Sequence, residues 1–515
     1  PMAAALQPKR AGHAANARAD YHNRKPHCHF PLSLFRLIRI SLQGAMVFSP
    51  FYKKCAFAGQ ILGAMKNDPQ QEIKMTITRF APSPTGYLHV GNMRAALMNY
   101  LIARKDDGHF ILRIDDTDPE RSKESFVEAI KEDLTWLGLQ WDRIERQSER
   151  LAAYDAAAQR LKDSGRLYEC FETPVELDLK RKKQLNMGKP PVYDRAALGL
   201  STAEKAALRA ERGQGHWRFK LEHQRIEWTD AILGDISIDA ASVSDPVLIR
   251  GDGQYLYTLA SVVDDIEMKI TNVVRGSDHV TNTATQIQMM QALGGDIPKF
   301  GHHSLLTGPL GEALSKRLGT LALRDLRSDG TVPAALISLM ARLGSSQPVE
   351  LQTDLAAVAE GFELAQFGSA PTKLDAQDLR PLTARYLQTL PLQEVADQIE
   401  SLGVPAELAA QFWQVTRDNI TTLHDLPGWW ELFSNGATPV IHPEDQAFVA
   451  QAMALLPDGP YDAHSWSAWT AEVKAATGRK GKGLFMPLRL ALTGQSHGPD
   501  MSAVLPLLQV IKAKP

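Results

Sequence analysis

The run Arg79-Phe80-Ala81-Pro82-Ser83-Pro84-Thr85-Gly86-Tyr87-Leu88-His89-Val90-Gly91 constrains this chain more than any other stretch. Ahead of it, Met75 to Ala81 alternates and is β-rich, which predicts a short buried strand. Pro82, Pro84 and Gly86 punctuate a loop. From Gly91 to Lys105, the residues Ala95, Leu97, Met98, Leu101 and Ile102 recur at helical spacing, and Asp106-Asp107-Gly108 ends the pattern. His109 to Ile114 predicts a second strand. Strand, helix and strand in that order build a parallel sheet covered by helices. Ligands bind such sheets beyond the C-terminal ends of the strands, so the loop before Gly91 faces a pocket. The backbone N–H groups of a helix start favour phosphate there. His89 would donate to phosphate oxygens as charge builds up on them.

The pattern continues with helices over Ser122 to Leu137 and Tyr154 to Lys162, and then changes between about Tyr168 and Asp245. There a charged helix with Lys180-Arg181-Lys182-Lys183 precedes the turn Gly188-Lys189-Pro190-Pro191, followed by strand-like runs at Gly215 to Lys220 and Ile236 to Ile238. This reads as an insertion between two halves of a nucleotide fold. The β/α pattern resumes at Tyr255 to Val274, and after Leu318 the chain is helical almost throughout. At 515 residues, about three domains are expected. Residues 1–74 are read as a poorly ordered extension, 75–318 as the α/β domain with its insertion at about 168–245, and 319–515 as an α-helical region.

Four further blocks carry chemistry. Leu305 to Gly319 sets Ser315, Lys316 and Arg317 at the end of a Gly/Pro-rich loop, an arrangement that suits phosphoryl-type chemistry. Leu112-Arg113-Ile114-Asp115-Asp116-Thr117-Asp118 puts carboxylates at a strand end, where one can pair with an ammonium ion. The stretch Tyr255 to Asp265 is followed by Val273-Val274-Arg275-Gly276-Ser277-Asp278-His279. Gly478-Arg479-Lys480-Gly481-Lys482-Gly483-Leu484-Phe485 is a Gly-interleaved basic run suited to phosphate-backbone contact. Trp429, Trp430, Trp466 and Trp469 could stack on unpaired bases, but are read first as helix-packing core.

Leu88 to Gly91 resembles the His-x-Gly-His-type signature of class I aminoacyl-tRNA synthetases, and the five blocks together, in this order, resemble glutamyl-tRNA synthetases of bacterial type. The resemblance covers about Met75 to Leu508. It implies a Rossmann-type parallel-sheet catalytic domain, an inserted acceptor-binding domain and an all-α anticodon-binding region. The implied activity is ATP-dependent ligation of L-glutamate to tRNA(Glu) through a glutamyl-adenylate, with Mg²⁺ assisting the phosphates. By resemblance, His89, Gly91 and Lys316 are catalytic, and Leu88, His89, Gly91, Asp278, Ser315, Lys316 and Arg317 bind ATP. Arg79, Ala81, Ser83, Asp115, Tyr257, Ser261 and Arg275 bind glutamate, with Arg79 taking the side-chain carboxylate. The sequence departs from the pattern at three of these points: Ala313 replaces the first loop lysine, Asp115 replaces a glutamate and Ser261 replaces a pocket asparagine. Alternatives are an enzyme that also glutamylates tRNA(Gln), a glutamyl transferase acting on a modified tRNA base, and a non-catalytic RNA-binding relative. Retained His89 and Lys316 oppose the last.

The formal charge of −2 announces no bulk nucleic-acid binder, so RNA contact must come from local patches. Cys28, Cys55 and Cys170 are too few and too far apart for a disulfide framework, which points to a reducing compartment. Many glutamyl-tRNA synthetases hold zinc on a four-ligand cysteine/histidine cluster in the insertion. Here only Cys170 is kept, with Glu172 nearby and no adjacent Cys or His, so no structural zinc is expected. No apolar run reaches 18 residues, and no membrane partner is expected. A cytoplasmic monomer is the expectation. Between Pro1 and Lys66 the one acidic residue is Asp20, against ten Lys and Arg. That is transit-peptide-like composition, so organellar import is the alternative to the reading of an upstream stretch before a natural start at Met75.

Overall fold

The structure, a computed structural model, describes residues 75–312 and 322–514. The expectations for residues 1–74 and for Ala313, Ser315, Lys316 and Arg317 therefore lie outside the described residues.

Strand β1 (Ile77–Phe80) leads through the Pro/Gly loop into helix α1 (Val90–Lys105), and the chain returns as β2 (His109–Ile114), parallel to β1. Helix α2 (Glu124–Trp136) is followed by β3 (Arg143–Arg146), parallel to β2 at the other edge. The sequence reading missed β3, whose Arg-Ile-Glu-Arg has one apolar residue to signal a strand. Helix α3 (Leu151–Asp163) then leads into the insertion.

In the insertion, β4 (Leu167–Cys170) pairs antiparallel with β5 (His216–Phe219), and β5 with β8 (Val247–Ile249). Helices α4 (Pro174–Asn186) and α5 (Thr202–Arg212) lie between β4 and β5 in sequence and bury none of their residues. Strands β6 (Arg225–Asp230) and β7 (Gly234–Asp239) form a hairpin. Helix α6 (Tyr257–Glu267), β9 (Asn272–Gly276), α7 (Val280–Leu293) and β10 (Lys299–His303) complete the nucleotide fold, with β9 and β10 parallel.

A side chain joins the two parallel ladders. Asn99 of α1 donates from Nδ2 to Val274 O of β9 at 2.8 Å, and its Oδ1 accepts from Val274 N at 3.4 Å. Its backbone carbonyl accepts from Thr78 Oγ1 of β1 at 2.8 Å. The amide thus supplies one donor and one acceptor, as a neighbouring strand would.

Helix α1 is buried on more than one face, Met93, Leu97 and Leu101 among its inaccessible residues, because helices at Pro333–Met340 and Leu355–Glu360 also pack on it. One apolar cluster accordingly runs from Phe80 to Leu382, and a second from Leu387 to Leu508. The break between the cores falls near residues 382–387, whereas the composition changes near 318. The first helices after the change serve the α/β core. The second cluster is built from helices and their connecting loops, and Trp469 lies inside it with Nε1 donating to Ala452 O at 2.9 Å. Trp429, Trp430 and Trp466 pack against the same cluster, in keeping with their reading as core.

Candidate active site

A cavity of about 910 Å³ opens beyond the C-terminal ends of β1, β2, β9 and β10. It is lined by Arg79, Ala81, Ser83, Leu88, His89, Gly91, Asp115, Tyr257, Arg275 and Asp278, ten residues read from the sequence as site residues. Ser261 is not among them. It is fully buried behind the wall, where it donates to Tyr257 O at 2.7 Å and accepts from Gln286 Nε2 at 3.2 Å. The expectation that Ser261 lines the pocket is therefore corrected: its hydroxyl is spent on Tyr257 O and Gln286 Nε2 behind the wall.

At one end His89 caps α1. Its Nδ1 accepts from Gly91 N at 3.1 Å and Asn92 N at 3.3 Å, and Asn92 Oδ1 accepts from His89 N at 3.4 Å. The expectation that Gly91 presents an open N–H to phosphate is corrected, because that donor is engaged by the imidazole. The cap in turn fixes the neutral tautomer, leaving the proton on Nε2 as a donor. It also explains the glycine. A Cβ at position 91 would stand 2.9 Å from His89 Cε1 and 3.0 Å from Nδ1.

At the other end four buried charges interlock. Arg79 donates from Nε and Nη2 to the two carboxylate oxygens of Asp265, at 3.1 and 3.3 Å. Arg113, fully buried, donates to Asp115 at 2.7 and 3.1 Å and to Asp265 at 2.8 Å. Neighbouring Asp264 lies 3.6 Å from Arg113 and is also met by Gln147, Arg150 and Tyr154. Burial alone would hold Asp265 protonated, but Arg79 and Arg113 outweigh it and keep its carboxyl below the usual range. For Asp115 burial prevails over Arg113, which is shared, and the carboxyl is pushed up to about 6. Asp265 engages one edge of Arg79. The other edge, Nη1 and the second hydrogen of Nη2, is a fork suited to a second carboxylate.

Arg275 stands on β9, 7% exposed. It donates from Nη1 to Tyr257 Oη at 3.1 Å, from Nη2 to Thr283 Oγ1 at 2.7 Å and Gln286 Oε1 at 2.6 Å, and from Nε to His302 Nε2 at 3.3 Å. None of the four hydrogen bonds of Arg275 goes to a carboxylate, which leaves its charge at this end suited to an anionic side chain. Sequence reasoning missed Asp265, Arg113, His302 and Gln286. They lie on different elements, and no spacing in the chain announces their meeting.

Asp278 lies exposed toward the His89 end. Burial lowers the basicity of His279, assisted by Arg275. The described residues on either side of 313–321 also belong to this end: Leu305, Leu306 and Ala322 all line the cavity. Ala322 bridges to His89, and Leu323 N donates to Leu88 O at 3.1 Å.

The insertion holds a metal-like grouping that the sequence reading missed. Cys170, Glu172 and His216 bring one ligand atom each within 4.8 Å of one another, because β4 and β5 place Cys170 opposite His216. Glu172 Oε2 has no hydrogen-bond partner. The grouping nevertheless does not fit zinc as it stands. His216 Nε2 accepts from Arg218 Nε at 3.3 Å, and the Arg218 guanidinium lies 4.2 Å from the Tyr193 ring centroid. The Tyr193 hydroxyl donates to Glu172 Oε1 at 2.8 Å and lies 3.6 Å from Cys170 Sγ. The set is a hydrogen-bonded staple that already contains a cation. Lys180 of the charged helix is part of it, with Nζ bonded to Glu172 at 3.2 Å and Asp194 at 3.1 Å.

Comparison with known proteins places this geometry. Residues 75–380 match the family model described as tRNA synthetases class I (E and Q), catalytic domain, and residues 379–510 match an anticodon binding domain. The chain is 74% identical over 440 residues to glutamate–tRNA ligase 1 of Roseobacter denitrificans, covering 85% of this chain and 100% of that one. It is 72% identical over 442 residues to glutamate–tRNA ligase 1 of Ruegeria pomeroyi, covering 86% and 100%. Among solved structures it is similar to a glutamate–tRNA ligase from Elizabethkingia meningosepticum in complex with its amino acid, with a TM-score of 0.74 and 27% identity, covering 84% of this chain and 97% of that one.

Proposed function

The chain belongs to the class I tRNA synthetases of the glutamate and glutamine group, as a glutamate–tRNA ligase, and from that premise we propose how its cavity works. The enzyme ligates glutamate to tRNA at the expense of ATP. We assign the reaction two steps. A glutamate α-carboxylate oxygen attacks the α-phosphorus of ATP, forming the mixed anhydride and releasing pyrophosphate. The terminal ribose hydroxyl of the tRNA then attacks the anhydride carbonyl and AMP leaves. Among the described lining residues none is placed as a nucleophile, which fits catalysis by positioning and charge.

The observation that carries the assignment is Arg79, a 5%-exposed residue of the cavity lining whose Nε/Nη2 edge is clamped by Asp265. The fork on its other edge takes the side-chain carboxylate of glutamate, and the neutral amide of glutamine gives it no charge partner. Asp115 takes the α-ammonium group, and Tyr257 and Arg275 close the wall. His89 Nε2–H donates to the phosphates. Lys316 supplies a further positive charge to the phosphates, as the family resemblance implies, and Leu305, Leu306 and Ala322 on either side of its segment line the cavity. Mg²⁺ would neutralise charge on the ATP phosphates. Asp278 is the exposed lining carboxylate able to hold it, which suits an ion that keeps most of its ligands from phosphate and water.

The bacterial sources of the relatives support the cytoplasm as the place of work, and we propose a monomer. No helix among the described residues is long and apolar enough to cross a membrane. Lys480, Lys482 and the 45%-exposed Phe485 are the part of the C-terminal basic block open to RNA, since Arg479 is paired with Asp445. The test is charging of purified transcripts with labelled glutamate. Charging of tRNA(Glu) alone supports a discriminating enzyme, charging of tRNA(Gln) as well shows a non-discriminating one, and charging of neither refutes the assignment.

A further inference from the structure

We propose that Asp230, a residue of the inserted hairpin, is a positioning residue for Arg275 and acts by fixing the tautomer of His302. The inference rests on the reading of Arg275 as part of the glutamate pocket. Asp230 ends β6 and is 2% exposed. Its Oδ1 accepts from the backbone N–H groups of His302 at 3.0 Å, Ile232 at 3.0 Å and Leu233 at 3.1 Å, and its Oδ2 lies 2.5 Å from His302 Nδ1. Every partner of this carboxylate is therefore a donor, and those bonds hold it ionised despite its burial. His302 is fully buried and gives its Nδ1–H to Asp230, so Nε2 is left as an acceptor.

Arg275 Nε donates to that acceptor at 3.3 Å, and Thr283 Oγ1, whose hydroxyl also lies 3.2 Å from His279 O, stands 2.9 Å from it. Thr283 in turn accepts from Arg275 Nη2 at 2.7 Å, and Gln286 Oε1 takes the same nitrogen at 2.6 Å. Three groups thus meet the inner side of the Arg275 guanidinium, and one of them presents an acceptor only while its ring proton stays on the side of Asp230. A guanidinium cannot accept a hydrogen bond, so the opposite tautomer would set Nε2–H against Nε–H at the same distance. The connection runs from the insertion through β10 to the amino-acid end of the cavity, through buried side chains alone.

Asp230→Asn is the informative change, because it keeps shape and removes charge. Three backbone donors cannot turn away, so the Asn oxygen stays with them and the amide N–H₂ faces His302. The imidazole proton then moves from Nδ1 to Nε2, the inversion expected when an orienting aspartate becomes asparagine. With the full-length enzyme and tRNA present, ATP–pyrophosphate exchange is expected to show KM for glutamate raised about tenfold and KM for ATP unchanged within about twofold. Nitrogen-15 spectra of histidine-labelled enzyme should show one ring exchanging its tautomer. His302→Gln, whose amide also donates to Asp230 and accepts from Arg275, should keep KM for glutamate near wild type, and His302→Leu should raise it as Asp230→Asn does. This pair also carries the test if Asp230→Asn does not fold.

An inverted tautomer with unchanged KM for glutamate overturns the proposal, as does an equal rise in both KM values or equal behaviour of His302→Gln and His302→Leu. Arg275→Ala separates the two layers. If it leaves KM for glutamate unchanged, the pocket reading fails and this inference falls with it. If it raises KM while Asp230→Asn does not, the positioning role alone fails.

Discussion

Nδ1 of His89 caps a helix, and that single contact decides which ring nitrogen can serve phosphate. Gly91→Ala should push the ring off its cap, since the new Cβ would stand 2.9 Å from it; we expect exchange kcat to fall about tenfold with a small change in Tm. Unchanged kcat would separate the ring from the chemistry. Arg79→Ala should lower kcat/KM for glutamate about a hundredfold by removing a bidentate charge partner, and steady-state kinetics with glutamate as the varied substrate check it. Asp115 gives a pH dependence with a definite sign. Its folded carboxyl, held up to about 6, binds a proton that the unfolded chain has already lost. Its contribution to stability is thus fullest below the unfolded value of about 3.9 and is lost as pH rises through about 6. Binding runs the other way, because an ammonium needs the charged form. KM for glutamate should rise as pH falls through about 6, and Asp115→Asn should start from a high KM and lose that limb. At this scale the sequence was legible where residues are neighbours in the chain, as in Leu88 to Gly91. It was silent on Asp265, 186 residues from the Arg79 it clamps.

Elements were readable wherever apolar periodicity was strong: β1, α1 and β2 stand close to their expected bounds. Their joinery was not, because it depends on polar side chains meeting across the fold. Asn99 lies in a helix, a position where asparagine carries no signal, yet its amide bonds both backbone groups of Val274. Asn99→Ala leaves those two buried groups unpaired and should cost about 2–4 kcal/mol, readable as a lower midpoint in urea. A loss below about 0.5 kcal/mol would mean that the two ladders hold together without it. The grouping of Cys170, Glu172, His216 and Tyr193 is legible only after β4 and β5 are paired, since Cys170 and His216 are 46 positions apart in the sequence. As a hydrogen-bonded staple it should not respond to chelators. Tm in EDTA is expected to match that in buffer, and a drop of several degrees would assign the site to a metal.

Among the described residues the two largest apolar clusters divide the labour: one lies under the cavity, and the other is the core of a helical body that carries the basic block around Lys480 and Lys482. The change to helical composition near residue 318 drew attention away from the true break in packing. Helices at Pro333–Met340 and Leu355–Glu360 belong with α1 because they cover its second buried face. On the proposed function, a buried arginine fork selects a carboxylate before ATP is committed. The most direct test is ATP–pyrophosphate exchange with tRNA(Glu) present, comparing glutamate with glutamine in the wild-type enzyme and in Arg79→Ala. The account predicts rapid exchange with glutamate, at least about a hundredfold less with glutamine, and most of that preference erased in Arg79→Ala. A preference that survives intact in the variant would contradict it.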